Sequence, residues 1–170
     1  LVLANALDAA ESWAAQGMQH SKVCVNVAPV TLLEPDFAQW LGAKLQRRGL
    51  PWGTLQLEMT EHAIIACGTH MVQAINDLRT LGVGVFMDDF GAGYSSLGVL
   101  ADLPISGIKC DRLFVRQLPQ DPRRQSLLRH VVRLARDLQL EVVVEGVETE
   151  QELQSVLESG IGNVQGYFFS

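Results

Sequence analysis

The sequence predicts an α/β fold, a TIM-like (β/α)8 barrel seen here as a fragment that lacks about two N-terminal strands and the last helix. Three observations predict it. Short β-branched or apolar runs alternate with amphipathic stretches, the pattern of parallel strand–helix–strand units. Nearly every predicted strand carries polar residues near its end: Asn26, Glu58, Asp88 with Asp89, Lys109 with Asp111, Glu145 with Glu148, and Gln165. A doubly wound sheet would offer one glycine-rich loop at a switch point, whereas a closed sheet brings many strand ends to one rim. Finally, a complete barrel needs about 200 residues or more. This chain has 170 and opens at Leu1 inside a helical pattern with no capping residue.

The elements follow in order. Leu3, Ala6, Leu7, Ala10, Trp13 and Ala14 recur at helical spacing and stop near Gly17. Residues 23–27 form a strand, and residues 37–48 a helix with Asp36 as its cap and Gly49 as its stop. A strand over 55–59, a helix over 70–81 and a strand over 84–88 come next, then a strand over 107–110. A long helix over 122–138, a strand over 141–144, a helix over 150–157 and a strand over 164–168 complete the pattern. No linker, low-complexity tract or internal repeat divides the chain, so residues 1–170 read as one domain.

Composition narrows the function. At 48% hydrophobic and 19% charged residues, the chain reads as a globular domain. No apolar run approaches the ~20 residues that span a bilayer, and no signal peptide opens the sequence, so a cytoplasmic location is expected. A net charge of −6 argues against diffuse attraction to a nucleic acid polymer. Cys24, Cys67 and Cys110 show no CxxC spacing and read as reduced, mostly buried thiols. The four histidines form no HxH or HExxH pair, which argues against a histidine-built zinc site.

The chemistry centres on residues 87–96, Met-Asp-Asp-Phe-Gly-Ala-Gly-Tyr-Ser-Ser. Adjacent carboxylates repel each other unless a cation lies between them. The alternative is that one aspartate merely caps the glycine-rich loop. Asn26, Glu58, Asp88, Asp89 and Glu145 are all oxygen donors, a set that favours magnesium or manganese over zinc. Two such ions about 3.5–4 Å apart would suit phosphodiester cleavage. Lys109 would orient the attacking water or contact a phosphate; on the plainer reading it neutralises Asp88 or Glu145 in a structural salt bridge. Asp88 and Asp89 point to opposite faces of a regular strand and share one site only where the strand is ending. Glu61 and Glu148 lie beyond their strands, where each either anchors the loop or is solvated.

These residues resemble the EAL-type phosphodiesterases that hydrolyse cyclic di-GMP. The resemblance rests on Val25-Asn26, Glu58-Met59-Thr60-Glu61, the run from Asp88 to Leu97, Leu103-Pro104, the run from Ile108 to Arg112, the run from Val144 to Thr149, and Gln165-Gly166-Tyr167. It implies a barrel that opens one phosphodiester of cyclic di-GMP to give linear pGpG, in bacterial second-messenger signalling. It implies two Mg2+ or Mn2+ ions, one held by Asn26, Glu58 and Asp88, the other by Asp88, Asp89 and Glu145. Glu145 then acts as ligand or as base, and Lys109 contacts the hydrolytic water. Glu61 fixes the loop from Phe90 to Leu97, while Gln165 and Glu148 belong to the second shell or to substrate binding. A homodimer or higher homo-oligomer and an upstream regulatory domain are also implied. Calcium, larger and less demanding in geometry, is expected to occupy the site and inhibit.

Three departures stand out. The signature Glu-Ala-Leu segment is absent, because the chain begins after the place where it should lie, and with it goes one expected metal ligand. Cys110 stands where isoleucine or valine is usual, and Gly162-Asn163 replaces a frequent Cys-Asp. One alternative is a catalytically inactive cyclic di-GMP receptor acting through a protein partner. Another reads residues 91–96 as a dinucleotide-cofactor loop with Asp111 as its ribose acid, but the third glycine is missing.

Overall fold

Among the described residues, six strands enter one sheet in strict chain order. A computed structural model describes residues 2–18, 21–93 and 97–169. The strands are β1 (Val23–Asn26), β2 (Leu55–Thr60), β3 (Gly84–Phe90), β4 (Gly107–Cys110), β5 (Glu141–Val144) and β6 (Asn163–Val164). The helices are α1 (Val2–Ala15), α2 (Pro29–Leu32), α3 (Phe37–Arg47), α4 (Glu61–Ala66), α5 (Gly68–Thr80), α6 (Leu97–Asp102), α7 (Pro122–Asp137) and α8 (Glu150–Glu158). The pairs β1–β2, β4–β5 and β5–β6 are parallel. Sequential order without a reversal is the topology of a (β/α)8 barrel; a doubly wound sheet reverses at its switch point. The expected fold class stands, with six of its strands present.

The chain divides into two compact units, Leu1–Phe86 with Leu103–Ile105, and Met87–Asp102 with Ser106–Ser170. In the first, β2 is buried from Leu55 to Met59 on both faces, as a parallel strand under helices must be. Helix α5 turns Met71, Ile75 and Leu78 inward, and α3 turns Phe37, Leu41 and Leu45. In the second unit every residue of β4 is buried, and α7 buries Leu128, Val132 and Ala135. Asp121 caps α7, its Oδ1 accepting from the Arg123 amide at 2.9 Å, with Pro122 in the first turn. A reciprocal capping box between Thr149 and Glu152 opens α8, so the chain leaving β5 turns at a fixed place.

Four details differ from expectation. The last strand stops at Val164, because the Phe168 amide turns back to the Val147 carbonyl at 3.1 Å and residues Tyr167–Phe169 coil into a 3-10 turn. Asp36 gives α3 no side-chain cap; it takes a left-handed φ of 63° instead. Strand β3 runs on to Phe90, and Asp89 within it has φ 55°. The short helices α2, α4 and α6 come in addition to the expected elements.

Candidate active site

In the first unit, β1 ends at Asn26 in register with Glu58 of β2. Parallel neighbours at one register level send their side chains to the same face, so this amide and carboxylate stand side by side at the carboxyl end. The Val27 amide extends the pairing by donating to the Glu58 carbonyl at 2.9 Å. Glu58 is only 3% exposed, and Glu61 is buried in the first turn of α4, where the helix dipole favours a carboxylate.

In the second unit, Lys109 joins two strand ends. Its Nζ lies 2.6 Å from Glu145 Oε1 and 3.5 Å from Asp88 Oδ1. The lysine side chain is 7% exposed, against 13% for Asp88 and 25% for Glu145. The ends are fixed by backbone bonds: the Asp111 amide donates to the Phe90 carbonyl at 3.3 Å, and the Glu145 amide to the Cys110 carbonyl at 3.0 Å. Asp88 also accepts from the Asp89 amide at 3.0 Å. The left-handed φ of Asp89 breaks the strict alternation of the strand, and aspartate tolerates this better than most residues.

Charge in this cluster is unbalanced. Partial burial, then the charges of Asp88 and Asp111, push the Asp89 carboxyl above its ordinary value, while Lys109 pulls it back. Burial, with the charge of Glu145 behind it, pushes the Cys110 thiol up to about 12. Asp111, expected at a strand end but outside the metal-ligand set, thus bears on Asp89. Its position two residues after Lys109, on the same side of the alternation, was the available signal.

The remaining candidates are placed differently. Glu148 is exposed, and its amide donates to Glu152 Oε2 at 3.0 Å in the cap of α8. Gln165 is exposed too; its amide donates to the Val144 carbonyl at 2.8 Å and its carbonyl accepts from the Val147 amide at 3.2 Å. Residues 94–96 of the glycine-rich loop, three of the eight that Glu61 is expected to anchor, lie outside the described residues. Asn163, at one departure from the family pattern, donates from Nδ2 to Glu141 Oε1 at 2.8 Å.

In the second unit Asp88, Asp89 and Glu145 offer oxygen alone, and with Asp111 they outweigh Lys109, so that their chemistry and charge fit a hard divalent cation. In the first unit Asn26 and Glu58 are oxygen donors as well. Among the described residues no three His, Cys, Asp or Glu side chains already form a coordination cluster. Asp88 and Glu145 are instead drawn onto Lys109, with which a cation would have to share them.

Known proteins agree with this architecture. The family model of the EAL domain matches residues 1–170. Cyclic di-GMP phosphodiesterase RocR of Pseudomonas aeruginosa is 38% identical over 156 residues, which are 92% of this chain and 40% of that protein. Cyclic di-GMP phosphodiesterase PdeR of Escherichia coli K12 is 35% identical over 158 residues, 93% of this chain and 24% of that protein. The chain thus spans well under half the length of these curated relatives. The solved EAL domain of Mycobacterium smegmatis DcpA superposes with a TM-score of 0.91 at 35% identity, over 99% of this chain and 76% of that one. Klebsiella pneumoniae BlrP1, solved as calcium and as manganese complexes with cy-diGMP, superposes at 0.87 and 32% identity over 98% of this chain and 42% of that one. Among the described residues no helix is long and apolar enough to cross a membrane. This chain belongs to the EAL domain family.

Proposed function

We propose that this chain hydrolyses cyclic di-GMP to linear pGpG with two divalent ions, Mg2+ or Mn2+. The observation that carries the proposal is Lys109 Nζ set between Glu145 and Asp88 at the strand ends of an EAL domain. The names of RocR and PdeR, and the BlrP1 complexes, support the substrate and the class of ion.

Asn26, Glu58, Asp88, Asp89 and Glu145 would hold the ions, which when bound lower the pKa of a water and neutralise charge on the phosphate oxygens. Lys109 does two things. Its ammonium holds one Glu145 oxygen and one Asp88 oxygen in place, and its positive charge would draw a water or a phosphate oxygen toward the same strand ends. The water gives up one proton as its oxygen bonds to phosphorus and one phosphorus–oxygen ester bond breaks. The departing sugar oxygen takes up a proton to become a hydroxyl, and the ring opens at one of its two phosphodiesters. Calcium, which tolerates six to eight ligands, is proposed to occupy the site with little turnover. The greater length of RocR and PdeR supports a regulatory segment elsewhere in the whole protein. A cytoplasmic homo-oligomer completes the reading.

The test is chromatography of cyclic di-GMP incubated with the purified protein and Mg2+ or Mn2+. Metal-dependent appearance of pGpG is the expected result. Binding of cyclic di-GMP with no product under any divalent ion would instead identify a receptor.

A further inference from the structure

We infer that the 3-10 turn Arg112–Phe114 is a wedge that sets where Asp88 and Asp89 of β3 and Glu145, just after β5, stand, with Phe114 its positioning residue. The inference rests on the metal-site reading above. Every contact that carries it lies in the second unit. Asp111 opens the turn, its Oδ1 accepting from the Leu113 amide at 2.8 Å while its own amide donates to the Phe90 carbonyl at 3.3 Å. The Phe114 ring stacks on Phe90, with centroids 6.3 Å apart and planes 7° apart.

Gly91 follows at φ 89°, and a Cβ built there would overlap the Phe114 ring. Only glycine permits both the left-handed backbone and this approach. The other flank of the turn repeats the arrangement. Gly146, at φ 75°, meets Arg112 so closely that a Cβ on it would overlap the Arg112 Cβ. From behind, Arg124 of α7 donates from Nη1 to the Leu113 carbonyl at 2.9 Å.

The turn therefore touches a residue beside each carboxylate. Gly91 lies two residues after Asp89, and Gly146 directly follows Glu145. Lys109, on the strand that leads into the turn, bridges Asp88 and Glu145. Phe114 acts on the reaction through Phe90 and Gly91, and Arg112 through Gly146. Losing a partner that hydrogen-bonds a ligand and fixes its orientation usually costs about 10–100-fold in metal affinity, and the turn acts on that same orientation through the backbone.

The test is a double-mutant cycle on Gly91→Ala and Phe114→Ala, read by Mn2+ calorimetry and by backbone amide NMR of the metal-free protein. Phe114→Ala should weaken Mn2+ binding about 10-fold and shift the amides of Asp89, Gly91 and Gly146. Gly91→Ala should weaken binding further, and the double variant should be no worse than Gly91→Ala, because the overlapping ring is gone. Phe37→Leu, which loosens the stacked Phe37–Trp40 pair in the first unit, should lower Tm and leave Mn2+ affinity unchanged. Strictly additive losses, or wild-type Mn2+ affinity and amide positions in Phe114→Ala, would overturn the inference. If the wild type takes up no Mn2+, the metal reading fails, and the metal-free amide shifts alone decide for or against the wedge.

Discussion

At the amino ends of β5 and β6, Asn163 Nδ2 meets Glu141 Oε1 at 2.8 Å, and the Glu141 amide meets the Ser106 carbonyl at 3.0 Å. At the carboxyl ends, Lys109 faces Asp88 and Glu145 together, while Asp89 feels the charges of Asp88 and Asp111. Polar groups at the first end are matched and serve stability. Those at the second carry surplus negative charge, a cost to the metal-free fold that an incoming cation would relieve. The same division holds across this barrel class, where strand carboxyl ends carry chemistry and amino ends carry stability.

The comparison can be broken at its charged end first. Lys109→Met keeps the volume and removes the ammonium, so turnover should fall by at least about 1,000-fold, a loss of roughly 4 kcal/mol in transition-state stabilisation. It should also cost the metal-free protein up to about 3 kcal/mol, by leaving carboxylates uncompensated, as chemical denaturation will measure. Asp88→Ala and Glu58→Ala should each lower kcat by at least about 100-fold while thermal unfolding stays cooperative. Near-normal turnover in Asp88→Ala would refute the site assignment.

The matched end should respond oppositely. Asn163→Ala should cost about 1 kcal/mol of stability and leave the rate of pGpG formation unchanged. The smallest effect is expected at Cys110. With its thiol pushed up to about 12, it gains a proton-free form only far above neutral pH, so alkylation at pH 8 should spare it and take exposed Cys24. Mass mapping of the alkylated peptides before and after unfolding would check this.

Much of the fold was legible because local and global signals agreed. Gly107–Cys110 and Glu141–Val144 are short apolar runs followed by polar residues, and they emerged as β4 and β5 within the bounds expected. The long helix expected over 122–138 emerged as Pro122–Asp137, and the structure adds the Asp121 cap. The failures have physical causes. Tyr167, Phe168 and Phe169 look like a strand in composition, yet a backbone bond from Phe168 to Val147 coils them. Helices α2 and α4 span four and six residues, too few to display a period. At the site, residue types alone marked Glu58, Asp88, Lys109 and Glu145. The left-handed turn at Asp89 and the ring over Gly91 are consequences of tertiary packing that no local spacing encodes.

Calorimetric titration of the metal-free protein with Mn2+, in wild type and Asp88→Asn, tests the central claim most directly. The account predicts uptake of about two ions per chain in the wild type and loss of at least one in Asp88→Asn, where the shared carboxylate has become an amide. Equal uptake by both proteins, or none by the wild type, would contradict it.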